Sequence, residues 1–208
     1  MKLNLSVDEV LTTTRTVRKR LDVTRPVPRA LLEECLDLAL QAPNGSNRNL
    51  WRWIIVDDPA IIAKLAGIYQ GLLSGGPAGD THLAGVPRED KILESAFALV
   101  EKLHQVPAML IPLMPGRPEG KSVVEQAAMW GSITQAVWSF FLALRERGLG
   151  SAWTTIALLR EKEIAELLGI PIDEYTQVGL FPIAYTIGTD FKPGPRRDLD
   201  RIIHHDGW

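Results

Sequence analysis

From about Val123 to Arg147 the sequence reads as one helix that is apolar on nearly every face. Ala127, Trp130, Thr134, Val137, Trp138, Phe141 and Leu142 cover most of its circumference, and too few polar positions remain for a solvated side. Such a helix has to be buried, either at the centre of a fold or against another subunit. Gly148 follows in the C-cap position, where glycine accepts a left-handed backbone without steric cost. The rest of the chain must therefore be arranged around one long apolar rod.

With 208 residues the chain can bury about 70% of its unfolded surface in one core and is short for two, so residues 1–208 are expected to form a single domain. A composition of 46% hydrophobic and 23% charged residues fits a globular protein. The net charge of -2 offers no basis for a nucleic-acid partner. Cys35 stands alone in LLEECLDLAL, which rules out an internal disulfide, favours a reducing compartment and suggests a buried small hydrophobe. No segment is read as a membrane span, since WSFFLAL (138–144) is bounded by Gln135 and Arg145. MKLNLSVDEV lacks the apolar core of a signal peptide, and a cytoplasmic protein is expected.

Local signals divide the chain into helices with few strands. Ser6 and Glu9 form a capping box that starts a short helix near Val7. Pro28, followed by Leu31, Leu32, Cys35, Leu36, Leu38 and Ala39, predicts a second helix ending by Ala42-Pro43. WRWIIV (51–56) reads as a strand, and Asp57-Asp58-Pro59 opens a third helix. Residues 74–88 have the Gly- and Pro-rich composition of a loop, and a fourth helix leads into a strand at PAMLIPLM. After the long helix and GLGSAWTT come a short helix, REKEIAELLG, and one strand at TQVGLFPIAYTIG. Strands without βαβ alternation argue for α+β.

Several stretches invite a chemical reading. MPGRPEGKS (114–122) looks like the lysine end of a phosphate-binding loop, but Pro115 stands where the first glycine is required and Pro118 removes an N–H group. GLGSAW (148–153) has half of a dinucleotide fingerprint with Trp153 at the third glycine, so a helix cap and tight turn explain it better. His204, His205 and Asp206 lack a partner pair at ligand spacing, and no metal is expected. Two basic clusters carry more: Arg15, Arg18, Lys19 and Arg20 after the first helix, and Arg196 and Arg197 near the end. Guanidinium groups beside the Thr16 hydroxyl suit a phosphate monoester, although a solvated charged face has the same composition. APNGSNRNLW offers amide donors and acceptors to a planar polar ring edge, or is simply a polar turn.

Taken in order, three of these segments resemble the FMN-dependent nitroreductase family. Arg15-Thr16-Val17-Arg18 is similar to its R-x-S-x-R element, and Pro43 to Trp51 to its P-S-x-x-N-x-Q-P-W loop. GLGS follows the long helix, as in the family, whose chain ends with a basic pair shortly before a final strand. This chain departs from the pattern at Thr14, Asn49 and Leu50.

The resemblance implies a central, mostly antiparallel sheet flanked by helices, in an intertwined homodimer with two FMN sites. It implies that Arg15, Thr16 and Arg18, with Arg196 or Arg197, hold the flavin phosphate and ribityl chain. Asn44, Gly45, Ser46 and Asn47 would reach the flavin from the other subunit, and Trp153, Thr154 and Thr155 would line its ring. The implied reaction is ping-pong: NADH or NADPH reduces the flavin, and a small-molecule acceptor such as a nitroaromatic or quinone reoxidises it. Flavin fragmentation, reductive dehalogenation, azoline oxidation or non-catalytic flavin binding would use the same fold. Because the cofactor carries the chemistry, no catalytic triad or acid pair is required.

Overall fold

A computed structural model describes residues 2–74 and 89–208, so most of the stretch read as a loop, with His82, lies outside the described residues. The helices are α1 (Val7–Thr13), α2 (Arg29–Ala39), α3 (Pro59–Ser74), α4 (Glu89–Lys102), α5 (Val123–Glu146) and α6 (Glu161–Leu168). The strands are β1 (Leu21–Asp22), β2 (Arg52–Val56), β3 (Ala108–Pro115), β4 (Leu149–Ser151), β5 (Tyr175–Gln177) and β6 (Phe181–Thr186). They form one sheet in the order β1-β6-β3-β2, with β4 on β6 and β5 on β3, and every strand pair is antiparallel. The α+β architecture with helices on both faces is thus the one expected.

The centre of the sheet is β3, buried from Ala108 to Met114. Its alternate residues feed two cores. Met109, Ile111 and Leu113 join Leu65, Leu99 and Leu103 of the α3–α4 side, while Ala108, Leu110 and Met114 join Leu32, Phe140 and Phe181 of the α2–α5 side. Burying each such large side chain stabilises the fold by roughly 1.5–3 kcal/mol. Helix caps follow the sequence signals: Ser6 Oγ accepts from the Glu9 amide at 3.2 Å, and Asp58 Oδ1 accepts from the Ala60 amide at 2.8 Å.

The strand expected across residues 176–188 is in fact two. Pro112, in the middle of β3, accepts a hydrogen bond from the Val178 amide through its carbonyl but has no N–H to return. At that point the partner chain leaves the ladder. Gly179, at φ +151°, allows Val178 to Leu180 to bulge out and pair with Thr154 instead. Residues 149–151, read as a turn, form β4, which pairs antiparallel with Ile183 to Tyr185 of β6. The two-residue β1 carries too little pattern to be seen in a sequence.

α5 starts at a capping box between Ser122 and Glu125 that the sequence reading overlooked, and Gly148 takes φ +69° beyond its end. Ile133, Ala136, Val137, Phe140, Ala143 and Leu144 bury one side of it against α2 and the sheet. The other side is uncovered in the single chain: Val123 is 83% exposed, Val124 80% and Trp138 42%. By length and composition alone this helix could cross a membrane, which corrects the view that no segment approaches a span. Here it is a packed helix of the core with one apolar face left over.

Candidate functional site

The first group of expected residues gathers where α1 ends beside β4. The Val17 amide donates to the Ser151 carbonyl at 2.8 Å, and Thr16 pairs with Ser151 in a parallel bridge. This close approach depends on Gly150, since a Cβ there would stand 2.9 Å from Val17 Cβ and 2.8 Å from Thr186 Cγ2. The arginine element and GLGS, more than 130 positions apart, are therefore one structural unit.

The structure also sorts the basic cluster. Lys19 pairs with Glu94 at 2.5 Å, and Arg20 donates to Asp190 at 2.5 Å and to the Ile187 carbonyl at 2.7 Å. These two are occupied in holding the fold. Arg15 and Arg18 have no carboxylate partner among the described residues. Arg15 is exposed, its guanidinium 5.9 Å from the Phe191 ring centre. Arg18 is half-buried, which lowers its affinity for its proton, while the nearby Tyr69 hydroxyl works the other way. A solvated face explains half-buried Arg18 less well than it explains exposed Arg15 or Lys19.

Trp153 and Thr154 border this group. The Trp153 indole N–H donates to the Val178 carbonyl at 3.0 Å, and its ring packs on Phe181 with centres 5.5 Å apart. Thr154 exchanges backbone hydrogen bonds with Leu180, and its hydroxyl is buried and committed to the Leu180 carbonyl. Gly179 is needed here too, because a Cβ would meet the Thr154 carbonyl at 2.8 Å. Thr155 remains exposed. Tyr69, which carried no sequence signal, is buried beside Arg18 and Thr154; burial raises its pKa, with the Arg18 charge and the Thr154 hydrogen bond opposing.

The second group is the loop from Pro43 to Trp51. Asn44 and Asn49 clasp each other, Asn44 Nδ2 donating to Asn49 Oδ1 at 2.8 Å and the Asn49 amide donating back to Asn44 Oδ1 at 3.0 Å. Ser46, Asn47 and Asn49 all have positive φ, near +50° to +56°. A serine held there costs on the order of 1 kcal/mol, and the clasp is what keeps it. Gly45 lies against α5, its amide donating to Ser132 Oγ at 2.9 Å. Together with Met114 to Gly116, Lys121, Ala128 and Met129 the loop lines an open cleft of about 400 Å³. MPGRPEGKS thus borders this cleft. Lys121 faces Glu125 at 3.5 Å, and Arg117 is held by Glu119 and Glu161.

The third group stays apart. Arg196 folds back onto the Pro195 carbonyl at 2.9 Å, and Arg196 and Arg197 both lie exposed outside the cleft. The segment after them holds a short 3-10 turn, Leu199–Arg201, where the family resemblance implied a final strand. His204 stacks on Trp208, and no group of three potential metal ligands occurs among the described residues.

A model of the nitroreductase family matches residues 11–185. An NADH dehydrogenase from Thermus thermophilus is 25% identical over 191 residues, covering 86% of this chain and 86% of its own. Among solved structures, an FMN and NADPH-dependent nitroreductase from Sphigopyxis sp. strain HMH aligns with a TM-score of 0.71 at 22% identity, over 98% of this chain and 100% of that one. A BluB-like flavoprotein from Clostridium difficile 630 aligns at 0.70 and 15% identity, over 97% and 99%. At such identities the structural likenesses speak for the fold.

Proposed function

This chain belongs to the nitroreductase family, and from that premise we propose that it is an FMN-dependent oxidoreductase. It would take electrons from NADH or NADPH and pass them to a nitroaromatic, a quinone or a similar planar acceptor. The observation that carries the reading is the division of the candidate residues along α5. The loop of Asn44 to Asn47 is tied to Ser132, while the arginine element lies by Arg145, 13 residues further on (145 − 132). At 1.5 Å per residue that is about 20 Å. A second copy laid antiparallel on the uncovered face of α5 brings its loop toward the first copy's arginines, and a two-fold pairing does so twice.

The residues fit the group in kind. Arg15 and Arg18, with no carboxylate partner among the described residues, suit a phosphate monoester, with Thr16 beside them; Arg196 or Arg197 would have to swing in from where it lies to join them. Trp153, its indole pinned to Val178, presents a fixed apolar wall, and Thr154 contributes backbone and packing because its hydroxyl is committed. Thr155 is free to face a ligand. Asn44, Gly45, Ser46 and Asn47 of the second copy supply amide groups for the polar edge of a ring, in a conformation set before binding. A bound flavin supplies two-electron acceptance from a nicotinamide and donation to a second molecule, in two half-reactions that share one pocket. The chain's part is to orient and to shield that pocket from water.

Purified protein is expected to be yellow, with a flavin absorption band that bleaches on anaerobic mixing with NADH or NADPH and returns on adding a quinone. Colourless protein that fails to take up added FMN rules the proposal out. Bound flavin that neither nicotinamide reduces identifies a flavin-binding protein without this activity.

A further inference from the structure

The cleft beside the loop from Pro43 to Trp51 combines an apolar lining with an excess of positive charge. Met114 and Trp51 are buried at its floor, with Met129 of α5 packed against the same core, and Leu50 stands in its wall 44% exposed. Two cations, Arg48 and Lys121, and one carboxylate, Glu125, line it as well. Lys121 faces Glu125 at 3.5 Å, and hydrogen bonds from the Ser122 hydroxyl and amide hold that carboxyl below its usual range, so it is ionised at neutral pH. Arg48 has neither a carboxylate nor a hydrogen-bond partner among the described residues. Two positive charges thus meet one negative charge, and the one left over belongs to Arg48.

An exposed arginine is ordinarily a solvated one. Arg48 differs in the backbone that carries it. It lies between Asn47 and Asn49, left-handed at φ +50° and +51°, and the two hydrogen bonds between Asn44 and Asn49 close the loop around it. Non-glycine residues keep that conformation only where their surroundings hold them, so the guanidinium is delivered to the cleft from a fixed base. Its planar fork of donors matches a carboxylate or sulfonate in two parallel hydrogen bonds. The thioethers of Met114 and Met129 adapt to an aromatic face. With about 400 Å³, the cleft falls at the lower end of the roughly 300–1,000 Å³ of small-molecule sites, which suits a single ring and its substituents.

We propose that this cleft selects acceptors with an anionic substituent, a carboxylate or sulfonate on a planar aromatic ring, and that Arg48 determines the specificity with Lys121 in support. The inference rests on the flavin reading for what happens to the bound ring, since the loop of this cleft is the one that a second copy presents to the flavin. It does not rest on that reading for the selection of the anion. For a nitroarene the change is a gain of two electrons and two protons, supplied as the nicotinamide's hydride and one proton from solvent. The products are the nitroso compound, water and oxidised nicotinamide.

4-Nitrobenzoate and its methyl ester share the ring and the nitro group and differ in charge, so comparing them isolates the anion. In Arg48→Gln the KM for 4-nitrobenzoate should rise about threefold to tenfold, the size of an ion pair that water still reaches, while the KM for the ester stays within about twofold. Glu125→Gln should act in the opposite direction, lowering the KM for the acid about twofold to threefold, because it frees Lys121 and keeps a side chain that the capping box at Ser122 accepts. Calorimetry of 4-nitrobenzoate binding to flavin-free protein should give the same order, Glu125→Gln tightest and Arg48→Gln weakest. Equal changes for acid and ester, or none in either variant, overturn the proposal. So does a shift in the use of NADPH relative to NADH with the acid-to-ester ratio intact, since the anion would then be the nicotinamide's phosphate. Enzyme that is bleached by a nicotinamide and reduces the ester without any dependence on Arg48 for the acid defeats this proposal alone. Protein that takes up no FMN yet binds 4-nitrobenzoate in the expected order defeats the flavin reading and leaves the anion-selecting cleft standing.

Discussion

The backbone N–H of Gly45 donates to Ser132 Oγ at 2.9 Å, while the same hydroxyl donates to the Ala128 carbonyl at 2.6 Å. One serine on the long helix thus positions a loop whose sequence lies 87 residues away. In Ser132→Ala the Gly45 amide loses its partner. Flavin affinity should drop about fivefold to tenfold, within the range of one hydrogen bond, while the melting temperature moves little. Titration with FMN checks this, and an unchanged affinity means the loop is positioned by other contacts.

The division of the basic cluster predicts opposite outcomes for neighbours. Arg15→Ala and Arg18→Ala should each weaken FMN retention by at least about tenfold. Lys19→Ala should leave it unchanged, because Lys19 is held by Glu94 at an exposed ion pair worth about 0–1 kcal/mol. Flavin content after gel filtration distinguishes the three.

Trp138 lies on the uncovered face of α5. A charge there, Trp138→Glu, should leave the single chain folded but oppose pairing of two apolar faces. Light scattering should report half the wild-type mass, and bound flavin should be lost with it. A variant of unchanged mass that keeps its flavin speaks against pairing through this helix.

Arg117 donates to Glu161 at 2.8 and 2.9 Å and to Glu119 at 2.6 Å, and Glu161 also accepts from the Gln177 amide at 3.0 Å. Arg117→Met leaves Glu161, only 15% exposed, without its cation. Urea denaturation should show a loss of about 2 kcal/mol, below the value for a fully buried pair because water still reaches both groups. Adding Glu161→Gln should recover part of it.

Burial pushes the Cys35 thiol up to about 11. The unfolded thiol titrates near 8.5, so the folded state holds the proton more tightly between these values. Its contribution to stability is full below about pH 8.5 and declines as pH rises toward 11, by up to about 1.4 kcal/mol per pH unit. Cys35→Ala should flatten this part of the stability profile relative to wild type, and native Cys35 should resist thiol reagents at pH 8.

Much of this molecule was legible in its sequence because the signals were local. The capping box at Ser6, the apolar run of β3, the stop at Gly148 and the ordered motifs at Arg15, Pro43 and Gly148 each lie within a few residues. What escaped depends on neighbours remote in the chain. The break between β5 and β6 follows from Pro112 on another strand, which has no N–H to donate across to them. The strand at Leu149 exists because β6 offers an edge, not because GLGS favours extension.

The same holds for the site. Element order pointed to an α+β fold, the ordered motifs resembled the family whose model matches residues 11–185, and the residue types suited a phosphate and a ring edge. Which basic residues find an acid was decided by the tertiary structure alone: Arg20 meets Asp190 and Lys19 meets Glu94, whereas Arg15, Arg18 and the deeply buried Arg145 meet no acid among the described residues. Pairing of charges and burial of polar atoms are set by folded distances of a few ångströms, and a linear sequence does not contain those distances.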